Sequence, residues 1–269
     1  MVRVAALTAE NVFSRVVLGL IYVGVQVFIN VCFFIPLFHK SDETKHIFKI
    51  IFPIWVILSI LWLWSYIVSS WIDAGSVESA LLGFGIKKET LPYLPPEFDD
   101  FERCIKCNLP KPERTHHCRV CNQCYFRFDH HCSLIGNCVA LYNMKAFMLF
   151  CFYSSLLLFN LGIYLFIAAK MLQLIDQKAA VMLFMIDLLF IIFIFLFACS
   201  YVPMVCLNVT TLEQIGGIDT TRFDNGKRQN FEELFGKNII FWLLPTRPSI
   251  SGFTWSGRSD IDDMFDNNL

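Results

Sequence analysis

Charge is what this chain has least of: 17% of its 269 residues are Asp, Glu, Lys or Arg, against 56% apolar and 16% aromatic. So little charge excludes an ordinary soluble domain and points to a membrane class. The net charge of −1 removes any bulk attraction to nucleic acid. There is no internal repeat, no low-complexity tract and no docking repeat of the ankyrin kind. A cleavable leader is not expected either: residues 1–15 are polar, and the apolar run behind them is long enough to stay as an anchor.

What the chain has in place of charge is long apolar runs. Residues 16–38 carry no charge and are long enough to cross ~30 Å of hydrocarbon at ~1.5 Å per residue. Gln26 and Asn30 lie four apart, so they share one helical face, which is expected to look inward. Residues 50–72 form a second run. Pro53 sits near its start, where a helix tolerates it. Trp71 and Tyr66 suit an interfacial belt, and Trp62 and Trp64 the apolar layer. A third run, 146–169, lies between Lys145 and Lys170. A fourth lies within 179–207, with Asp187 expected at its polar end and 188–207 deepest. With no charge deep in a run and no paired half-helices, a transporter is poorly supported.

The expected fold is therefore an all-α polytopic membrane protein with four transmembrane helices. Residues 1–15 would be a cytosolic N-terminus, 16–72 helices 1 and 2, 73–143 a cytosolic linker and cysteine-rich domain, 144–207 helices 3 and 4, and 208–269 a cytosolic tail with an acidic end. Seventeen of the 22 Lys and Arg fall in the N-terminus, the central segment counted through Lys145, and the tail. That asymmetry places both termini and the central segment in the cytosol. Asn208-Val209-Thr210 fits a glycosylation sequon, which a cytosolic tail leaves unused.

The central segment holds seven of the eleven cysteines and four of the six histidines within 35 residues. It reads Cys104-x2-Cys107-x9-His117-Cys118-x2-Cys121-x2-Cys124-x4-Asp129-His130-His131-Cys132-x5-Cys138. Such spacing suits tetrahedral zinc better than disulfides, because seven thiols are odd in number and the cytosol is reducing. Two Cys3His sites consume six thiols and two histidines. Spacing alone leaves the partition open, since Cys118, Cys121 and Cys124 pair in more than one way. The surplus matters more: an acid, a base and a thiol within four residues supply the orienter, general base and attacking group of an activated nucleophile.

Asp129-His130-His131-Cys132 inside this array resembles the DHHC family of membrane protein S-acyltransferases (protein palmitoyltransferases). The match continues through Cys138-x4-Asn143-x3-Phe147. Thr210-Thr211-Leu212-Glu213 is similar to the family's Thr-Thr-x-Glu motif, although it is equally a helix N-cap signature. Asn230, with Phe235-Gly236 beyond it, resembles the family's C-terminal element. The resemblance implies Cys104, Cys107, His117 and Cys124 on one zinc and Cys118, Cys121, His131 and Cys138 on the other, both closed and structural. It implies Cys132 as nucleophile, His130 as base and Asp129 as orienter, with Thr210, Thr211, Glu213 and Asn230 supporting.

The implied reaction passes a long-chain acyl group from palmitoyl-CoA to Cys132 and then to cysteines of membrane-associated protein substrates, in an endomembrane such as Golgi or ER. The CoA phosphates would meet Lys106, Lys111, Arg114, Arg119 or Arg127, while His116 has no assigned role. Three departures stand out: Ser133-Leu134 for the usual Pro-Trp, Ala140 for glycine, and Asp73-Ala74-Gly75 for Asp-Pro-Gly. They keep one alternative open, a catalytically silent zinc-binding membrane adaptor.

Overall fold

The computed structural model describes residues 8–31, 35, 42–91, 93–172, 176–248, 250 and 252–253. The expected end of the first apolar run (32–34 and 36–38) and the acidic end of the tail lie outside the described residues. Four long helices dominate: α1 (Ala9–Ile29), α2 (Asp42–Trp71), then, after the short α3 (Val77–Gly83), α4 (Met144–Leu172) and α5 (Gln177–Cys206). Each contains a stretch long and apolar enough to cross a membrane: Ala9–Ile29, Phe48–Trp71, Met144–Ile167 and Val181–Cys206. The chain is a mostly helical integral membrane protein with its cysteine-rich region between the second and third of these.

Two differences from the sequence expectation involve a charged residue within a span. α1 starts at Ala9 rather than 16, so Arg15 lies inside it. The charge is tolerated there because the guanidinium binds a protein carbonyl, described below. Asp187 sits ten residues into α5 and inside its apolar stretch, not at its end. The apolar residues before it carry the helix on toward Gln177. Gly162 of α4 makes room for that carboxylate, since a Cβ there would collide with it.

The chain divides into two compact units. One comprises Val16–Ser65 and Met148–Tyr201. Within it Trp55 Nε1 donates to Gln26 Oε1 at 2.9 Å, and Gln26 Nε2 donates to Ser59 Oγ at 3.2 Å. Gln26 thus faces the neighbouring helix, as its polarity requires in an apolar surrounding. Trp62 is buried, stacks on Tyr22 and donates to Ser154 Oγ at 2.8 Å, whereas Trp64 faces outward.

The other unit comprises Met1–Arg15, Tyr66–Phe147 and Val202–Leu269, so it holds the cysteine array together with one end of each long helix. Its only strands among the described residues are two three-residue hairpins: β1 (His116–Cys118) with β2 (Gln123–Tyr125), and β3 (His130–Cys132) with β4 (Asn137–Val139). Hairpins this short are not stable alone, and fixed contacts surround them. Asp73 accepts from the Gly75 and Ser76 amides and from the Ser76 and Ser79 hydroxyls at 2.6–3.2 Å, which launches α3. Gly75 at φ +107° packs on Tyr142, whose ring a Cβ would strike. The glycine of that motif is therefore required by geometry, while Ala74 simply fills buried space in place of proline.

The tail adds α6 (Thr211–Gly216) and α7 (Lys227–Phe235) and then returns to the cysteine-rich region. Phe253 is fully buried among Phe84, Phe98, Phe101 and Phe126.

Candidate active site and metal centres

Strand alternation organises this region, because successive side chains on a strand point to opposite faces. On β1, His117 and Cys118 point opposite ways. Each joins a different cluster: Cys104, Cys107, His117 and Cys124 in one, and Cys118, Cys121, His131 and Cys138 in the other. His117 pairs across the hairpin with Cys124, and on the second hairpin His131 pairs with Cys138. Cross-strand partners have their Cβ atoms about 5 Å apart, so each pair brings two ligand atoms together.

Within each cluster the four ligand atoms lie within 4.8 Å of one another. In the first, Cys107 Sγ is 3.0 Å from His117 Nδ1 and 3.4 Å from Cys124 Sγ. In the second, His131 Nδ1 is 3.7, 3.5 and 3.7 Å from the sulfurs of Cys118, Cys121 and Cys138. A tetrahedral zinc needs ligand separations of ~3.5–3.8 Å. Both clusters fit that ion and offer it a closed set of three sulfurs and one imidazole. Asn108 and Asn122, each just after a ligand cysteine, take left-handed φ of 54° and 52°, a turn asparagine tolerates.

The same alternation governs β3. With His131 turned to its cluster, His130 and Cys132 share the opposite face. Asp129 Oδ2 lies 2.8 Å from His130 Nδ1, which leaves Nε2 for the hydrogen bond between His130 and the Cys132 sulfur. Asp129 is buried and also accepts from the Thr211 amide (2.7 Å) and hydroxyl (2.8 Å). The His130 ring stands edge-on to Phe147, in the first turn of α4, at 5.5 Å.

The charges follow from these contacts. Burial would raise the Asp129 carboxyl, but its bonds to His130 and Thr211 outweigh that and lower it. Burial would lower the His130 imidazole, yet Asp129 and the Cys132 sulfur raise it to about 9. Burial opposes the Cys132 thiolate, but His130 and the amides of Ile135 and Leu134 bring that thiol below its ordinary value. The arrangement can hold a thiolate–imidazolium pair with a carboxylate fixing the ring.

Thr210 and Glu213 form a reciprocal capping box at the start of α6. The cap is also the tie: it presents Thr211 to Asp129. Glu213 binds Arg114 through both carboxylate oxygens at 2.7 Å, and Arg114 donates to Asn208 Oδ1 and to its carbonyl. Arg127, fully buried, donates to the same Asn208 Oδ1 at 3.3 Å. Asn230 Nδ2 donates to the Cys206 carbonyl and to Asp224.

Two expectations about cations therefore need correction. Arg114 and Arg127 are buried in this ionic node and do not face a soluble phosphate. Lys106, Lys111 and Arg119 instead line an open cleft of about 720 Å³ beside the first cluster. His116 lines another of about 460 Å³ with Lys111 and Glu113. The side chain of Asn208 is buried and fully engaged, so the sequon leaves no space for a glycan. Glu213→Ala would leave the buried Arg114 guanidinium without its carboxylate partner. The expected cost is ~3–5 kcal/mol, seen as a lowered thermal midpoint, with Glu213→Gln less harmful.

Sequence reasoning missed the role of the first helix. Arg15 Nε and Nη2 donate to the Gly136 carbonyl at 3.0 and 2.7 Å. That carbonyl closes the turn carrying the Leu134 and Ile135 amides, and a Cβ on Gly136 (φ +61°) would meet Asn11. Asn137 and Asn143 both donate to the Ser69 carbonyl at the end of α2. Only Asn143 had a signal, through motif spacing. Arg15→Ala is expected to cost ~1–3 kcal/mol, because it strands a buried carbonyl. Arg15→Lys should recover part of it, since one ammonium cannot reproduce the fork; chemical denaturation reads both.

Four apolar spans with a double metal-binding module and a carboxylate–imidazole–thiol relay define a membrane-embedded, thiol-based group-transfer protein. Residues 97–217 match the sequence profile of the DHHC palmitoyltransferase family. The chain is 32% identical to probable protein S-acyltransferase 12 of Arabidopsis thaliana over 228 residues, covering 76% of this chain and 78% of that protein. It is 34% identical to palmitoyltransferase ZDHHC15 of Xenopus laevis and 34% identical to palmitoyltransferase ZDHHC20 of Homo sapiens. Those matches cover 58% and 55% of this chain and 50% and 44% of the relatives, so the chain spans about half the length of these two. It belongs to the DHHC palmitoyltransferase family.

Proposed function

We propose that this chain is a protein-cysteine S-palmitoyltransferase working by two thioester exchanges through Cys132. The observation that carries the reading is the Asp129–His130–Cys132 relay, with His130 and Cys132 on one face of β3, opposite the metal ligand His131. In the first step His130 takes the Cys132 proton as the sulfur attacks the carbonyl carbon of a long-chain acyl-CoA. The C–S bond to CoA breaks, and the CoA thiolate leaves with the proton from His130. In the second step a substrate cysteine attacks the acyl–Cys132 thioester. His130 removes its proton and returns one to Cys132. Asp129 keeps the ring in the tautomer that presents Nε2, and Thr211 keeps Asp129 in place.

Cys104, Cys107, His117 and Cys124 would hold one zinc, and Cys118, Cys121, His131 and Cys138 the other. With every position taken by protein, zinc here supplies folding energy rather than activated water. Lys106, Lys111 and Arg119, which line an open cleft, would meet the CoA phosphates. At ~0.8 kcal/mol per methylene, a sixteen-carbon chain favours a site beside a span. Cys132 precedes Met144, where α4 starts, by twelve residues. The positive-residue asymmetry supports a cytosolic active site and termini, with membrane-bound proteins bearing cytosolic cysteines as acceptors and Golgi or ER as the membrane.

The test is incubation of the purified chain with an alkyne-tagged palmitoyl-CoA. The expected result is a hydroxylamine-labile label on the Cys132 peptide, transferable to an added cysteine-containing lipopeptide and absent in Cys132→Ser. An unlabelled wild type with both metals bound would sink the enzyme reading and favour an adaptor.

A further inference from the structure

Beyond α7 the tail turns at Gly236 and makes one 3-10 turn, Ile239–Phe241. Its polar groups point inward. The Lys145 ammonium donates to the carbonyls of Phe235 (3.0 Å) and Phe241 (2.8 Å) and faces Thr246 Oγ1 (2.8 Å). Trp242 Nε1 donates to the Gly236 carbonyl at 2.8 Å, and its ring stands edge-on to Phe231, which stacks on Phe235. The Asn238 side chain caps the turn by accepting from the Ile240 amide at 3.0 Å. This leaves a rigid outward face of large apolar side chains. Ile239, Ile240, Phe241 and Leu243 are 67%, 73%, 47% and 58% exposed, although none lies in a span.

Two further facts say what the face meets. Lys145 is the second residue of the apolar stretch Met144–Ile167, so its ammonium ties the turn to the level where that span begins. Exposed Lys237 precedes the turn in sequence, and a cation beside an apolar wedge suits an anionic headgroup layer. We propose that residues 239–243 form a lipid-inserted wedge that seats the tail on the bilayer surface beside the third span. The wedge would fix the height of α7 and of the segment leading back to α6, whose Thr211 holds Asp129. It needs only the membrane-spanning reading, so it stands apart from the acyl-transfer reaction.

The experiment places a fluorescent amino acid at position 240, or at position 229 on the exposed side of α7, in the full chain in nanodiscs containing phosphatidylserine. Nitroxide lipids and aqueous iodide serve as quenchers. The expected insertion depth is ~5–10 Å. A nitroxide near the headgroup should therefore quench position 240 severalfold more than position 229, and more than a nitroxide at the chain terminus does. Equal quenching at 240 and 229 overturns the proposal. So does shielding of 240 from both lipid and iodide, which would mean that protein, such as a second copy, covers the face. Acyl-CoA labelling of the same nanodiscs reports separately on the reaction.

Discussion

Replacing His130 by alanine is expected to slow labelling of the chain by acyl-CoA ~10²–10⁴-fold, with the metal content unchanged. The reason is electrostatic. Six ligand thiolates surround Cys132 in sequence, and a site of three thiolates and one neutral imidazole around zinc carries net −1. An unaided thiol there is, at best, a few per cent thiolate at neutral pH. His130, raised to about 9 by Asp129 and the Cys132 sulfur, supplies the compensating positive charge. His130 is raised above 6.5, so its contribution is complete below that value and is lost as pH climbs through about 9. Cys132 is lowered from 9.0, so its contribution is complete above 9.0 and is lost as pH falls through its folded value. The thiolate–imidazolium pair is therefore favoured in the window between the folded value of Cys132, below 9.0, and about 9. Iodoacetamide alkylation of Cys132 in the wild type should persist below the pH at which a free thiol falls silent. His130→Ala should move that inflection upward. An inflection that stays put would show the imidazole is not what stabilises the sulfur.

Much of this site was legible because metal spacing and helix spanning are local in sequence. The family resemblance implied eight ligands, and the same eight side chains gather in two groups of four; four long apolar runs marked the spans. The ends of the runs were less legible. α1 could begin seven residues early only because the Arg15 guanidinium finds the Gly136 carbonyl, a partner 121 residues away. The hairpins were invisible too: strands of three residues carry no usable period. Yet it is their alternation that puts His131 on one side and His130 with Cys132 on the other. Arg114 and Arg127 looked like free surface cations because nothing nearby in sequence pairs with them. Glu213 and Asn208, which do, arrive with the tail after two more spans. The Thr-Thr-x-Glu stretch admitted two readings, cap or motif, and the structure makes them one device.

Metal removal should have the other large effect. A strong zinc chelator is expected to release two ions per chain, abolish acyl-CoA labelling and open trypsin cleavage after Lys106 and Arg119. The two hairpins contribute three residue pairs each, too few to hold themselves together in water. A structural zinc can contribute ~10–16 kcal/mol of binding free energy, so the ions and not the strands would fold this region. The clusters are also interleaved. His117 and Cys118 are neighbours on β1 yet serve different ions, and Cys124 returns to the first cluster across the same hairpin. Loss of either ion should therefore loosen the hairpin that both share. Cys104→Ser and Cys138→Ser, one from each cluster, should each retain less than one zinc per chain by elemental analysis, and both should lose labelling although neither touches Cys132. If either variant kept one zinc and full labelling, the clusters would be independent. The β3–β4 hairpin would then owe its geometry to the bonds of His130 to Asp129, Asn137 to Ser69 and Gly136 to Arg15 rather than to metal.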